Sequence, residues 1–268
     1  MICFPNAKIN LGLRILRKRE DGFHDIETFM MPISLCDALE IVPSDEFGIS
    51  ITGHKIEGKP DDNLCVKAYR IIHQRYGIPP VFIHLHKIIP SGAGLGGGSS
   101  NAVFTLRLLQ RMFKLKICDN ELMEMSETLG SDCNFFIKNQ PAFCSSRGET
   151  IQLYNLNLKN WHLLLIKPPF DISTAAAYAM VTPSGKHLPV HEVSFSDSLS
   201  WQNELINDFE AVIVKKYPLM AEIREKLLAL GASLVSLSGS GPAIYGLFDE
   251  KPEYANDFQG MFVWEEKF

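Results

Sequence analysis

The stretch PSGAGLGGGSSNA, residues 90–102, places five glycines within the eight residues from Ser91 to Gly98 and then turns at once into helix-forming sequence. A flexible linker of such composition sits among other polar residues, because it cannot bury enough apolar surface to offset the entropy of ordering. Here the flanks are apolar and periodic. Upstream, VFIHLHKIIP carries Val81, Ile83 and Leu85 on one face, the alternation of a strand, and Pro90 blocks its continuation. Downstream, Ala102, Val103, Leu106, Leu109 and Phe113 recur at helical spacing, with Ser99 or Ser100 placed to cap. The glycines therefore join a strand to the first turn of a helix. Backbone N–H groups and a positive dipole end at such a junction favour phosphate.

Outward from this loop, AKINLGLRIL at 7–16 alternates Ala7, Ile9, Leu11, Leu13 and Ile15 against Lys8, Asn10, Gly12 and Arg14, the pattern of a half-buried strand. Asp21-Gly22 is a turn signal, so residues 23–33 are expected to return as the second strand of a hairpin. A loop rich in glycine and charge is expected to lead into a helix over 63–76, ended by Gly77. Asp119 is placed to cap a further helix through Leu122, Met125 and Leu129, stopped by Gly130. AFCSSRGETIQL and WHLLLIKPP read as strands, and a loose stretch over 182–200 suggests a change of domain near 150–170. Pro218 opens a helix that runs to Gly231, and SLVSLSGSGPAIYGLF reads as strand, glycine turn, strand.

With 26 basic and 31 acidic residues the net charge is −5, which disfavours general affinity for nucleic acid or an anionic membrane, so phosphate must be held locally. The six cysteines show no C-x-x-C pair and read as reduced, mostly buried thiols. No run approaches ~18 apolar residues and the start carries no basic-then-apolar leader, so a cytoplasmic protein is expected.

Three phosphate-binding patterns compete for the loop. Gly92, Gly94 and Gly97 formally satisfy the dinucleotide G-x-G-x-x-G, but Asp119, about where an acidic strand end is needed, opens another helix. The Walker pattern needs Lys directly after its last glycine, and Ser99 stands there. The whole of P-x-x-x-G-L-G-x-G-S-S resembles the phosphate loop of the GHMP kinases, small-molecule kinases named for galacto-, homoserine, mevalonate and phosphomevalonate members. PNAKINLGL, DGFHDIET, DDNL at 61–64, LGSD at 129–132, SSRGE at 145–149 and SGSGPA at 238–243 follow in the order of one branch of that family.

That resemblance implies an α+β chain of two domains, with a ribosomal protein S5 domain 2-like N-terminal domain over 1–155 and a ferredoxin-like C-terminal domain over 156–268. It implies ATP, with Mg2+, as phosphoryl donor and a small molecule carrying a cytidine diphosphate group as acceptor. Lys8 and Asp132 match the family's catalytic pair. Unaided, Lys8 reads as a solvated surface lysine and Asp132 as a turn or cap residue, and the resemblance reverses both readings. Pro90, Ser91, Gly92, Ala93, Gly94, Leu95, Gly96, Gly97, Gly98, Ser99 and Ser100 match the ATP loop, and Asn63 and Lys87 match positions lining the adenosine pocket. Asn10, Phe23, His24, Thr174, Tyr178, Gly239 and Ser240 match the acceptor side. Phe23 stands where Tyr is frequent, so the ring is kept and its hydroxyl is not. Another GHMP kinase acting on a sugar or amino alcohol is the nearest rival, and a nucleotide-binding regulator without turnover is a rival of another class.

Overall fold

The structure is a computed structural model, and it describes all residues except 57, 184–189, 191, 192, 194 and 196. Those positions of the expected loose stretch 182–200 lie outside the described residues. In chain order the elements are β1 (Ile2–Cys3), β2 (Asn6–Lys18), β3 (His24–Cys36), β4 (Ala38–Pro43), β5 (Gly48–Gly53), α1 (Leu64–Tyr76), β6 (Val81–Lys87), α2 (Gly97–Met112), α3 (Asp119–Glu127) and α4 (Cys133–Lys138). There follow β7 (Ala142–Ser146), β8 (Thr150–Leu153), β9 (His162–Lys167), α5 (Thr174–Tyr178), α6 (Trp201–Glu204), α7 (Glu210–Lys216), α8 (Pro218–Ala229), β10 (Leu234–Leu237), β11 (Ile244–Phe248) and β12 (Phe262–Lys267). The expected α+β class is what these elements form.

The chain divides into two compact units. One comprises 1–7, 32–91 and 96–140, the other 8–31, 92–95 and 141–268. In the first, a four-stranded sheet has the order β1-β4-β6-β5, antiparallel except for the β5–β6 pair. Leu39, Ile41, Val81, Ile83 and Leu85 are buried in it, because alternate residues of a strand share one face. Helices α1 and α2 pack on each other, and α2 meets β4. Ala102, Val103, Leu106 and Leu109 are fully buried on α2. Each such leucine contributes about 1.5–3 kcal/mol of burial. Packing therefore holds this helix, which has no side-chain cap.

In the second unit the sheet β10-β11-β9-β12 is antiparallel throughout, and α8 packs on β10 and β11. Val235, Leu237, Ile244, Leu164 and Ile166 form its core with Met220, Ile223 and Leu227 of α8. A third sheet runs β2-β3-β7-β8.

Several expectations are corrected. Residues 6–15 of β2 are buried on both faces, so the strand is not half-buried. The expected loop before α1 contains β4 and β5. Gly96, in the left-handed region at φ 69°, is the N-cap of α2, which puts Ser99 and Ser100 inside the first turn. Asp119 is the first residue of α3, after Cys118 at the N-cap, so it faces the helix dipole without capping. All six cysteines are free, but only Cys65, Cys133 and Cys144 are buried. No helix among the described residues is long and apolar enough to cross a membrane.

Candidate active site

Three alternate glycines of the loop, Gly92, Gly94 and Gly96, sit at φ 61°, 77° and 69°, a region most side chains avoid. At Gly94 space adds to conformation. A Cβ there would lie 1.9 Å from the carbonyl oxygen of Ser238. The hydroxyl of Ser238 donates to the carbonyl of Gly94 at 2.8 Å. The N–H of Ala243 donates to Ala93 and that of Lys8 to Leu95, at 3.2 and 3.0 Å. Residues 92–95 are thus stitched to β2 and to the SGSG turn, and Ala93 and Leu95 are buried.

Lys8 is 2% exposed, and its ammonium donates to Asn10 Oδ1. A solvated surface lysine would not be held so. Asn10 in turn donates to Thr28 Oγ1 at 3.0 Å, and its carbonyl accepts from the Tyr245 hydroxyl at 2.7 Å. Gly239, at φ 56°, lets the turn approach closely, since a Cβ there would stand 3.3 Å from Gly94 and 3.5 Å from Asn10 Oδ1. Asn207 Nδ2 donates to the carbonyls of Leu237 and Gly239 at 3.0 and 2.8 Å, fastening the turn from below. Asn207 was not singled out by sequence, because an Asn between short apolar runs carries no periodic signal. Within this unit Lys8, Asn10, Gly94 and Gly239 therefore converge. Ser240 and Thr174 bring their hydroxyls within 3.5 Å of each other.

In the same unit the imidazole of His24 stacks on Tyr178, ring centroids 4.6 Å apart and planes 19° apart. Burial first, and Lys18 second, hold the His24 pKa below its ordinary 6.5. Tyr178 also meets the edge of Phe209. Phe23 is 51% exposed, with the Arg147 guanidinium 5.1 Å from its ring centre. A cavity of about 660 Å³ lined by Gln202, Asn207, Asp208, Glu210 and Arg224 holds none of the sequence-predicted site residues.

In the other unit, Gly97, Gly98 and Ser99 begin α2, where the leading N–H groups of a helix have no acceptor within it. The Ser100 hydroxyl is buried and has no hydrogen-bond partner. Asp132 occupies the N-cap position of α4 and makes no capping hydrogen bond, so the bland cap reading does not account for its carboxylate. The turn that carries it lies against α2. A Cβ on Gly130 would be 3.5 Å from Ser99 Oγ, and the Cys133 thiol points at the Ser99 carbonyl at 3.9 Å. Asn63 caps α1 by accepting from the Cys65 N–H at 2.8 Å. Lys87 is 3% exposed and binds Asp37 and Asn101. A loop of amides, a helix N-terminus and a carboxylate turn beside it suit an anionic substrate and proton transfer.

Residues 63–147 match the model of the GHMP kinases N terminal domain and residues 193–259 that of the GHMP kinases C terminal. The chain is 43% identical to 4-diphosphocytidyl-2-C-methyl-D-erythritol kinase of Parabacteroides distasonis, over 99% of this chain and 98% of that protein. It is 45% identical to the protein of the same name from Bacteroides thetaiotaomicron, over 93% and 92%. A crystal structure of 4-(cytidine 5'-diphospho)-2C-methyl-D-erythritol kinase superposes with a TM-score of 0.80 at 30% identity, covering 99% of this chain and 98% of that one. Mevalonate kinase of Methanococcus jannaschii shares the fold, with a TM-score of 0.73 at 14% identity over 99% and 97%.

Proposed function

The chain belongs to the GHMP kinases, and from that premise we propose that it transfers the terminal phosphoryl group of ATP to the 2-hydroxyl of 4-diphosphocytidyl-2-C-methyl-D-erythritol, giving ADP and the 2-phosphate. This is a step of the non-mevalonate isoprenoid pathway. The observation that carries the reading is the turn bearing Asp132, packed against Ser99 in the first turn of α2.

Phosphoryl transfer asks the protein mainly to position two substrates and to stabilise charge. The amides from Gly94 to Ser100 hold the triphosphate, with Pro90, Ser91, Gly92 and Ala93 shaping the approach. Asn63 and the end of β6 at Lys87 border the adenosine. Asp132 accepts the proton of the acceptor hydroxyl, while Lys8, oriented by Asn10, offsets charge on the transferring group. Gly239 and Ser240 back the acceptor. Phe23, His24, Thr174 and Tyr178 bind its cytidine end, whose flat base suits aromatic stacking.

Mg2+, if bound with ATP, would supply neutralisation of charge on the phosphates. It keeps much of its water and needs only one or two carboxylates. Among the described residues no group of three or more His, Cys, Asp or Glu forms a metal cage, and no protein ligands are assigned. We place the enzyme in the cytoplasm and its domain boundary at 155/156.

A coupled assay of ADP release with the cytidyl acceptor tests the function. Turnover that CMP inhibits competitively against the acceptor is the expected result. Turnover with a sugar or amino alcohol and none with the cytidyl compound overturns the reading.

A further inference from the structure

We propose that Asp37 is the positioning residue of the nucleotide loop, a single carboxylate that fixes the loop's entry and its exit against each other. Asp37 lies between β3 and β4 and is fully buried. Its Oδ1 accepts the N–H groups of Ile88 and Ile89, at 2.7 and 2.9 Å. These are the last two residues before Pro90. Its Oδ2 accepts from Asn101 Nδ2 at 2.8 Å and from the ammonium of Lys87. Asn101 is the fifth residue of α2, so the carboxylate grips the chain on both sides of the glycines. Lys87 closes the cluster by donating to Asn101 Oδ1 at 3.0 Å.

The first turn of α2 rests directly on this cluster. A Cβ on Gly97 would meet Ile89 Cγ2 at 2.9 Å and Lys87 Nζ at 3.2 Å. Gly97 is thus required by the same residues that Asp37 organises. A buried ion pair is a poor source of net stability, because desolvation offsets the attraction. What it supplies here is direction, since four donors from the two flanks converge on two oxygens. Displacement of bound phosphate by about an ångström costs orders of magnitude in phosphoryl transfer. Lys87, matched by resemblance to the adenosine pocket, reaches the nucleotide through the loop. Asp37 acts through the loop's backbone and does not touch the reacting atoms.

The proposal rests on the ATP reading of the loop, and Asp37→Asn tests it. That change keeps the side-chain shape but turns an NH2 group toward the donors of Lys87 and Asn101. KM for ATP and Kd for ADP are expected to rise about tenfold or more, with KM for the acceptor within about twofold. A residue needed only for folding would lower kcat with the folded fraction and leave both KM values unchanged, and that result overturns the proposal. If Asp37→Asn does not fold, Asn101→Ser removes one donor to Asp37, together with the Oδ1 that accepts from Lys87, and leaves Asp37 its bonds from Ile88, Ile89 and Lys87. About threefold weaker ADP binding by calorimetry is expected of it, and unchanged binding overturns the proposal. Wild-type protein separates the two failures. If it does not bind ADP, the ATP reading falls and the proposal with it, whereas tight binding by wild type and variants alike removes the proposal alone.

Discussion

The hydroxyl of Ser238 and the carbonyl of Gly94 are 2.8 Å apart, and the Ser238 carbonyl stands 1.9 Å from where a Cβ on Gly94 would be. The glycine loop and the SGSG turn are therefore built to one another's backbones, and each sets how close the other can come.

Gly94→Ala is expected to be the most damaging single methyl in the loop. It combines a left-handed backbone with a collision against backbone, which no rotamer relieves, and a cost of about 2–4 kcal/mol is expected. Gly231→Ala is the control, because Gly231 has φ 91° with nothing within 4 Å. It should cost about 1 kcal/mol and leave kinetics unchanged. Denaturant unfolding alongside ATP titration of initial rates separates the two. Equal stability losses would show that the Ser238 contact yields freely.

Asp132→Asn should lower kcat by roughly 10² to 10⁴, the usual worth of a general base. ADP binding should persist, since the loop amides are untouched. Stopped-flow turnover with calorimetric ADP binding makes the comparison. A folded, nucleotide-binding variant with the parent's rate would remove Asp132 from the chemistry.

At 4.6 Å the rings of His24 and Tyr178 are in direct contact and leave no slot for a base between them. A cytosine takes an outer ring face or parts the pair. Tyr178→Ala should therefore change KM for the cytidyl acceptor by about two- to tenfold, the range of one aromatic contact, with KM for ATP unchanged. An acceptor KM that does not move would place the base elsewhere.

His24 gives a pH prediction whose sign follows from burial. Its folded pKa lies below 6.5, its ordinary value, so below pH 6.5 the unfolded chain binds more protons. The stability tied to neutral His24 is full above 6.5 and declines as pH falls toward the folded pKa. NMR titration of the imidazole should give a midpoint under 6.5, and His24→Phe should flatten this part of the stability profile. A midpoint above 6.5 would reverse the sign.

Elements with dense local signals were legible in the sequence. The β2–β3 hairpin followed from alternation and Asp21-Gly22, and α1 followed from its spacing and from Gly77 at φ 61°. The loop and α2 were legible too, but the cap was not. Serine is the usual N-cap, yet three alternate left-handed glycines put that role on Gly96. Strand β5 was missed because charge and glycine around 44–62 masked its short alternating run of Ile49 and Ile51, and β4, with Leu39 and Ile41, is only six residues long beside that stretch. Asp37 and Asn207 gave no signal at all. The side-chain partners of Asp37 lie 50 or more positions away and the acceptors of Asn207 Nδ2 lie 30 or more away, and one-dimensional periodicity does not see such pairs.

The cysteines have a practical consequence for whoever handles the enzyme. Cys133 follows Asp132 directly, and burial pushes its thiol up to about 12; Cys65 is held at about 11 for the same reason. Thiolate is the nucleophile in alkylation and oxidation, so both sulfurs stay inert at neutral pH. Cys118 is exposed, one residue before α3, and a maleimide dye attached there would label the protein while sparing the thiol next to Asp132.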